Sequence, residues 1–313
     1  MKLKFYQTDL LNPYRNLAIE KYFTDGVADG EYIIYFWGNK DTVVIGRNQY
    51  AYDQFDAAET ARDGIKIARR LSGGGAVYHD ENNLNFSFVM NTNEFDKNSG
   101  YEIILNALRS MGVNAERSGR NDMTADGRKF SGNAFLSRGK AYCHHGTILI
   151  NTDTERMARY LHVPEEKLAN KGVRSVKSRV VNLAEIDHEI SREGIMRSVW
   201  VAAERFFGEP AEVIGDDYFD AKKLAEGERF FSDKRYIFGE RLDGYARRSA
   251  RTGYGHIDLY VRSDASGKVL SARIFTDSML LPNIERAEKL LTGDSADRAT
   301  PERAVELLSG EYV

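Results

Sequence analysis

Three consecutive glycines, Gly73, Gly74 and Gly75, sit inside the run Arg69-Arg70-Leu71-Ser72-Gly73-Gly74-Gly75-Ala76-Val77-Tyr78-His79-Asp80, between two strand-like segments. No other feature of the chain limits its fold as tightly. Glycine loses more backbone freedom on ordering than any other residue. Three in a row are worth keeping where the backbone must pass close to another group or present bare N–H groups to an anion. The two arginines directly before them add fixed positive charge and bidentate donors for phosphate or carboxylate. An ordinary glycine-rich hairpin turn with solvated arginines fits the same pattern. The run is not a Walker loop, which ends in Gly-Lys-Ser/Thr, nor a Gly-x-Gly-x-x-Gly fingerprint.

The surrounding pattern is mixed α/β. Asn12-Pro13 reads as a helix start, with Asn as the cap and Pro in the first position. Residues 14–23 then bury Leu17, Ala18 and Tyr22. Residues 32–37 and 42–45 read as a hairpin or as consecutive strands, separated by Gly38-Asn39-Lys40-Asp41. Further strands are expected at 66–70, 76–78, 86–90 and 142–150. Ile103, Ala107, Leu108 and Met111 recur at helical spacing within 99–111, and Gly112 closes that helix. Residues 195–207 form an amphipathic helix ending at Gly208. The charged stretch 216–235 shows few periodic apolar positions and marks a boundary. Beyond it Ile257, Leu259 and Val261 alternate with polar residues as in a half-buried strand, and 269–275 returns as its hairpin partner. Helices at 282–291 and from Thr300-Pro301 to Leu308 complete a small α+β domain. The expected division is a larger domain at 1–235 and an accessory one at 236–313.

Charge and cysteine content exclude several classes. Lys plus Arg number 44 and Asp plus Glu 47, for a net charge of −3, which argues against a dedicated nucleic-acid binder. The single cysteine, Cys143, rules out an intrachain disulfide framework and fits a reducing cytoplasm. The N-terminal residues lack the apolar region of a secretory signal, and no apolar run reaches the roughly 20 residues a membrane helix needs.

Three more segments carry chemistry. The first contains Asn121-Asp122 and then Gly127-Arg128-Lys129-Phe130-Ser131-Gly132-Asn133-Ala134. Its clustered cations can stabilise charge developing on a carbonyl or phosphoryl oxygen, and Asn121 and Asp122 offer hard oxygen ligands suited to Mg²⁺ shared with a phosphate. A polar surface loop is the plainer reading. The second is Tyr142-Cys143-His144-His145-Gly146-Thr147. Adjacent strand residues face opposite ways, so His144 and His145 do not line one site. No His or Cys pair has zinc-ligand spacing. Cys143 reads as a small packed hydrophobe rather than a nucleophile. The third is 171–183, with four cations and two serines, either a solvated strand or a loop closing over an anion.

Together these segments resemble the lipoate–protein ligase A family of the biotin/lipoate ligase superfamily. The resemblance rests on Arg-Arg-x-Ser-Gly-Gly-Gly-Ala-Val, Gly-Arg-Asn-Asp, Arg-Lys-x-Ser-Gly, His-His-Gly-Thr and Lys-Gly-x-x-Ser-Val-x-Ser-Arg-Val-x-Asn-Leu, in the family's order. Thr42-Val43-Val44-Ile45-Gly46-Arg47 and Phe275-Thr276-Asp277-Ser278 extend it. It implies an α/β (α+β) catalytic domain of the class II synthetase/biotin ligase type, followed by a small α+β accessory domain. It further implies conversion of lipoate and ATP, with Mg²⁺, to lipoyl-AMP, and transfer of the lipoyl group to a lysine. The implied acceptors are lipoyl domains of 2-oxoacid dehydrogenases and the glycine-cleavage H protein, and the implied enzyme is a monomer.

Carried over residue by residue, the resemblance makes Lys129 catalytic. It assigns Arg70, the backbone of Gly75, Ala76, Val77 and Tyr78, and Asn121, Asp122, Lys129 and Arg179 to ATP and the adenylate, with Asp122 as the magnesium ligand. It assigns Trp37, Arg69, Leu71, Ser72, Gly73, Gly74, His79, Lys129 and His145 to lipoate. The chain departs from the pattern at Leu71, where a polar residue is expected, and at Cys143, where a large one is expected. Its accessory domain also reads as shorter, ending soon after Leu308. Competing implications are an octanoyl- or lipoyltransferase that uses no ATP, a biotin ligase, and a non-catalytic lipoyl-domain-binding protein.

Overall fold

The computed structural model describes residues 1–119, 121–162, 180–280 and 283–309. Expectations for 171–179, including Arg179, and for Arg120 and the start of the helix at 282 lie outside the described residues. A central eight-stranded sheet has the order β11-β1-β2-β6-β10-β9-β8-β7. Its strands are β1 (Lys2–Gln7), β2 (Glu31–Trp37), β6 (Asn83–Asn91), β7 (Ala115–Ser118), β8 (Asp122–Ala125), β9 (Arg128–Arg138), β10 (Ala141–Leu149) and β11 (Ala211–Val213). β1 runs parallel to β2 and β11, and the remaining pairs are antiparallel.

Both faces of this sheet are covered. All seven residues of β2 are buried, as befits a central strand sandwiched between helices. Tyr32, Ile34 and Phe36 enter one core with α3 (Ser99–Ser110) and α5 (Arg192–Phe207). Ile33, Tyr35 and Trp37 enter another with α1 (Pro13–Gly26) and α6 (Ala221–Ser232). Asn12 caps α1 by accepting from the Tyr14 N–H, with Pro13 in the first turn, as the dipeptide predicted.

The strands at 32–37 and 42–45 are not a hairpin. β3 (Thr42–Ile45) leaves the main sheet and forms a second sheet between β4 (Lys66–Arg69), parallel to it, and β5 (Val77–His79), antiparallel. The glycine run connects β4 to β5 at the edge of this small sheet. The segment that reads as a polar loop, 118–134, is largely β8 and β9. Its register shift between Met123 and Thr124 accounts for the weak alternation in the sequence. The charged stretch 216–235 holds α6 and the start of α7 (Lys234–Phe238). Only Leu224 and Phe231 of α6 are buried, too few to show a period. β12 (Ala246–Thr252), β13 (Gly255–Ser263) and β14 (Val269–Thr276) form a third sheet. With α8 (Ile284–Leu291) and α9 (Pro301–Ser309) it encloses its own apolar cluster.

α6 lies close against α1 because Gly227 has no side chain. A Cβ there would stand 3.0 Å from the Cβ of Ala18. Gly227→Leu therefore forces the two helices apart, and overpacking of this kind costs about 1–3 kcal/mol. The expected result is a lower chemical-denaturation midpoint with an unchanged slope.

Candidate active site

The three sheets meet around one cavity of about 1070 Å³. Its wall includes Trp37, Arg70, Gly75, Ala76, Val77, His79, Asn121, Asp122, Lys129 and His145, so most residues singled out in the sequence converge there. Arg69, Leu71, Ser72, Gly73, Gly74 and Tyr78 are not part of that wall, and their places show what they do instead.

Arg69 is buried and donates to the carbonyls of Gly46, Arg47, Gln49, Tyr236 and Ile237. It ties the loop after β3 to α7. Tyr78 turns to the other side of the small sheet, where its ring packs on Tyr160 and its hydroxyl donates to Asp41. Leu71 packs at the edge of the core under α1. Arg70 reaches the cavity wall, yet its nitrogens are engaged by the Ser72 hydroxyl and the carbonyls of Val44, Gly73 and Gly75. Its guanidinium shapes the glycine run from within rather than reaching across it.

The glycines themselves are required for two separate reasons. Gly74 adopts φ +90°, which side-chain-bearing residues avoid. A Cβ on Gly73 would come within 2.2 Å of the Ser278 carbonyl. Ser278 belongs to the turn after β14, and its carbonyl also accepts the Gly74 N–H. The small C-terminal sheet is thus pinned to the glycine run by backbone contact. Arg247, Arg251, His256, Asp258 and the segment 275–279 supply the facing wall of the cavity. Arg247 bridges Asp258 and Asp53, and Arg251 pairs with Asp277. Sequence reading placed none of these in the site, although Phe275-Thr276-Asp277-Ser278 forms part of the resemblance, because their approach is a matter of packing.

Opposite the glycine run stands Lys129 on β9. Its ammonium lies 2.6 Å from the Asp122 carboxylate on β8, and both side chains are 38% exposed. This pairing holds the cation at the cavity mouth with solvent access. A Cβ on neighbouring Gly132 would stand 3.1 Å from the ammonium, so the missing side chain leaves it room.

The inner wall is buried and polar on one side only. Along β6, Leu84, Phe86, Phe88 and Met90 enter one core while Asn83, Asn85 and Ser87 alternate with them. Polar residues alternating on a fully buried strand are a sequence signal of a site. His79 shows their use. Asn39 and Asn85 direct their amide nitrogens to its Nδ1. Their orientations follow from Asn16 donating to the Asn39 oxygen and Asn83 donating to the Asn85 oxygen. His79 therefore carries its proton on Nε2. Burial, with the charge of Arg70 added, brings this imidazole down to about 3.

His144 and His145 face opposite sides, as strand geometry requires. His144 lies among Phe86, Phe88, Tyr101 and Phe135 and meets the Asn133 oxygen through Nε2. Burial brings it too down to about 3. Cys143 is fully enclosed, and burial pushes its thiol well above the ordinary range, which fits a packing role rather than a nucleophile.

This architecture is that of an α/β enzyme whose cavity opens between a glycine loop and a lysine. The family model for the lipoyl protein ligase A/B catalytic domain matches residues 12–203, and the chain belongs to that family. It is 33% identical over 299 residues to a lipoate-protein ligase A of Bdellovibrio bacteriovorus, covering 93% of this chain and 88% of the relative. Among solved structures, Plasmodium falciparum LipL1 in complex with lipoate shares the fold, with a TM-score of 0.80 at 24% identity, over 93% of this chain and 90% of the other. A bipartite lipoate protein ligase of Thermoplasma acidophilum, solved with its E2 lipoyl domain, reaches a TM-score of 0.65 at 26% identity, over 76% and 97%. A lipoate-protein ligase A bound with ATP reaches 0.64 at 25% identity, over 76% and 99%.

His79 and His144 are neutral when folded and bind a proton near pH 6.5 once unfolded. The unfolded state therefore gains protons that the folded state refuses, and stability falls as pH drops below 6.5. Each contributes about 1 kcal/mol of loss by pH 5.5. Denaturant titrations at pH 7.5 and 5.5 are expected to show this fall, with a smaller fall in His144→Gln.

Proposed function

We propose that the chain is an ATP-dependent lipoate–protein ligase. One observation carries the reading: in a chain of this family, the end of the glycine run at Gly75, the Lys129–Asp122 pair and an apolar wall of Leu17, Trp37, Val44 and Val77 share one cavity. The pair and the run suit a nucleotide phosphate, and the apolar wall suits an eight-carbon acyl chain. Each buried CH₂ contributes about 0.8 kcal/mol.

In the first half-reaction a lipoate carboxylate oxygen attacks the α-phosphorus of ATP, and the bond to pyrophosphate breaks. Negative charge grows on the phosphate oxygens, and the Lys129 ammonium is placed to meet it. In the second, the ε-amine of an acceptor lysine attacks the acyl carbon, the acyl–phosphate bond breaks, AMP leaves and the amine gives up a proton. Lys129 then stabilises the tetrahedral oxyanion. The carboxylate of Asp122 is a hard oxygen at the cavity mouth and suits a Mg²⁺ brought in with the phosphates. Such an ion would neutralise phosphate charge as Lys129 does.

The acceptor in this reading is a lipoyl domain, supported by the Thermoplasma ligase solved with its E2 lipoyl domain. Acceptors of the 2-oxoacid dehydrogenase and glycine-cleavage type belong to the same proposal. So does the division into 1–235 and 236–313, supported by the separate apolar cluster of the third sheet.

Incubation with ATP, Mg²⁺ and lipoate, without acceptor, is expected to release about one equivalent of pyrophosphate per chain and to retain lipoyl-AMP until a lipoyl domain is added. Absence of release, with transfer from supplied lipoyl-AMP, would instead identify a transferase. Lys129→Ala is expected to fold normally and to lose about 10²–10³-fold in adenylation rate. Near-normal lipoyl-AMP formation would remove Lys129 from the mechanism.

A further inference from the structure

A chain of buried side-chain hydrogen bonds runs beneath the cavity. The Arg70 Nε donates to the Ser72 hydroxyl at 3.0 Å, and that hydroxyl lies 2.7 Å from His145 Nε2. His145 Nδ1 lies 2.7 Å from the Glu20 carboxylate on α1. The same carboxylate oxygen accepts from Ser87 at 2.6 Å, and Ser87 accepts from the Trp37 indole at 3.0 Å. Glu20 accepts only, so the His145 Nδ1 carries a hydrogen. The Ser72 hydroxyl, which accepts from Arg70, thus links that guanidinium to Nε2 of His145.

The charges in this chain call for an explanation. Arg70 is buried, and the Ser72 hydroxyl and the carbonyls of Val44, Gly73 and Gly75 that its nitrogens engage are all neutral oxygens. An uncompensated buried charge is strongly destabilising. Glu20 is buried as well, on α1 beside the buried Leu17, Ala18, Ile19 and Phe23. Burial alone would raise its carboxyl. The charge and hydrogen bond of His145, the Ser87 hydroxyl and the charge of Arg70 outweigh burial and hold it below its ordinary value. In return, Glu20 opposes the burial that brings the Arg70 guanidinium down to about 10.

We infer that Glu20 is a positioning residue for the glycine run: through His145 and Ser72 it supplies the counter-charge that lets Arg70 stay buried and hold the carbonyls of Gly73 and Gly75. The inference rests on the ligase reading only in assigning the glycine run to the nucleotide. It makes Glu20, 50 residues before Arg70 and on the acyl side of the cavity, a determinant of how ATP is held. A wall residue of the acyl pocket alone would affect lipoate and leave ATP untouched.

Two measurements on the full chain separate the possibilities. The first is a double-mutant cycle in urea with Glu20→Gln, Arg70→Met and the two combined. Charge pairing predicts that the double variant is more stable than the sum of the single losses allows, and additive losses would overturn the inference. If Glu20→Gln alone does not fold, a folded double variant supports the pairing and an unfolded one refutes it. The second is calorimetric titration with Mg·ATP in the absence of lipoate. Glu20→Gln is expected to weaken binding at least fivefold, and Glu20→Asp, which keeps the charge, to recover part of it. Binding within twofold of the unaltered chain, or no recovery in Glu20→Asp, would confine Glu20 to the acyl wall. If the unaltered chain itself does not bind Mg·ATP, the ligase reading fails, while the stability cycle still decides the pairing.

Discussion

The buried Arg70 guanidinium is the point from which the site is organised. Its donors gather the carbonyls of Val44, Gly73 and Gly75, which belong to β3 and the glycine run. A run of three glycines has too much conformational freedom to hold a shape by itself. A planar guanidinium with donors in a fixed fork is suited to fix it. Arg69 does related work one residue earlier, fastening the loop after β3 and the end of α7 to β4. The two adjacent arginines point to different places because strand residues alternate.

Covering both faces of the main sheet has a second consequence. A strand buried on both sides ordinarily carries apolar residues throughout. β6 and β10 instead turn Asn85, Ser87, His145 and Thr147 toward the face shared with α1. Ser87 and His145 both find a partner in the Glu20 carboxylate. A buried polar network of this kind tolerates little rearrangement, since each unpaired member costs about 1–3 kcal/mol. Such a wall is stiff and specific where a purely apolar one would be adaptable.

The third sheet completes the cavity from the opposite side. Its contact with the glycine run is made by the backbone of Ser278 against Gly73 and Gly74, a close approach that needs glycine on one partner. The Arg247–Asp258–Asp53 bridge joins the same sheet to the segment after β3. The glycine run is therefore contacted from within by Arg70 and from across the cavity by the third sheet. A change in either partner is felt at the same few backbone atoms.

Much of this was legible in local pattern. Helix caps such as Asn12-Pro13 and the periodic helices expected at 99–111 and 195–207 follow from residues close together in the chain. Such signals are local because helix periods and turn chemistry are local. A shared site for Gly75, Lys129 and His145 was implied only by the family resemblance. β1 escaped notice for want of a distinctive pattern, and β8 and β9 because their register shift breaks the alternation. Of the two readings of 32–45, a hairpin or consecutive strands, the second holds; the hairpin does not form because a chain can leave one sheet for another without any marked change in residue type. Glu20 was invisible as a site residue: it reads as a polar position on a helix, and its partner His145 lies 125 residues away. Residue chemistry decides which groups are able to act. Which of them meet, which charge balances which, and which arginine faces the cavity depend on burial between distant segments, a property that no local stretch of sequence carries.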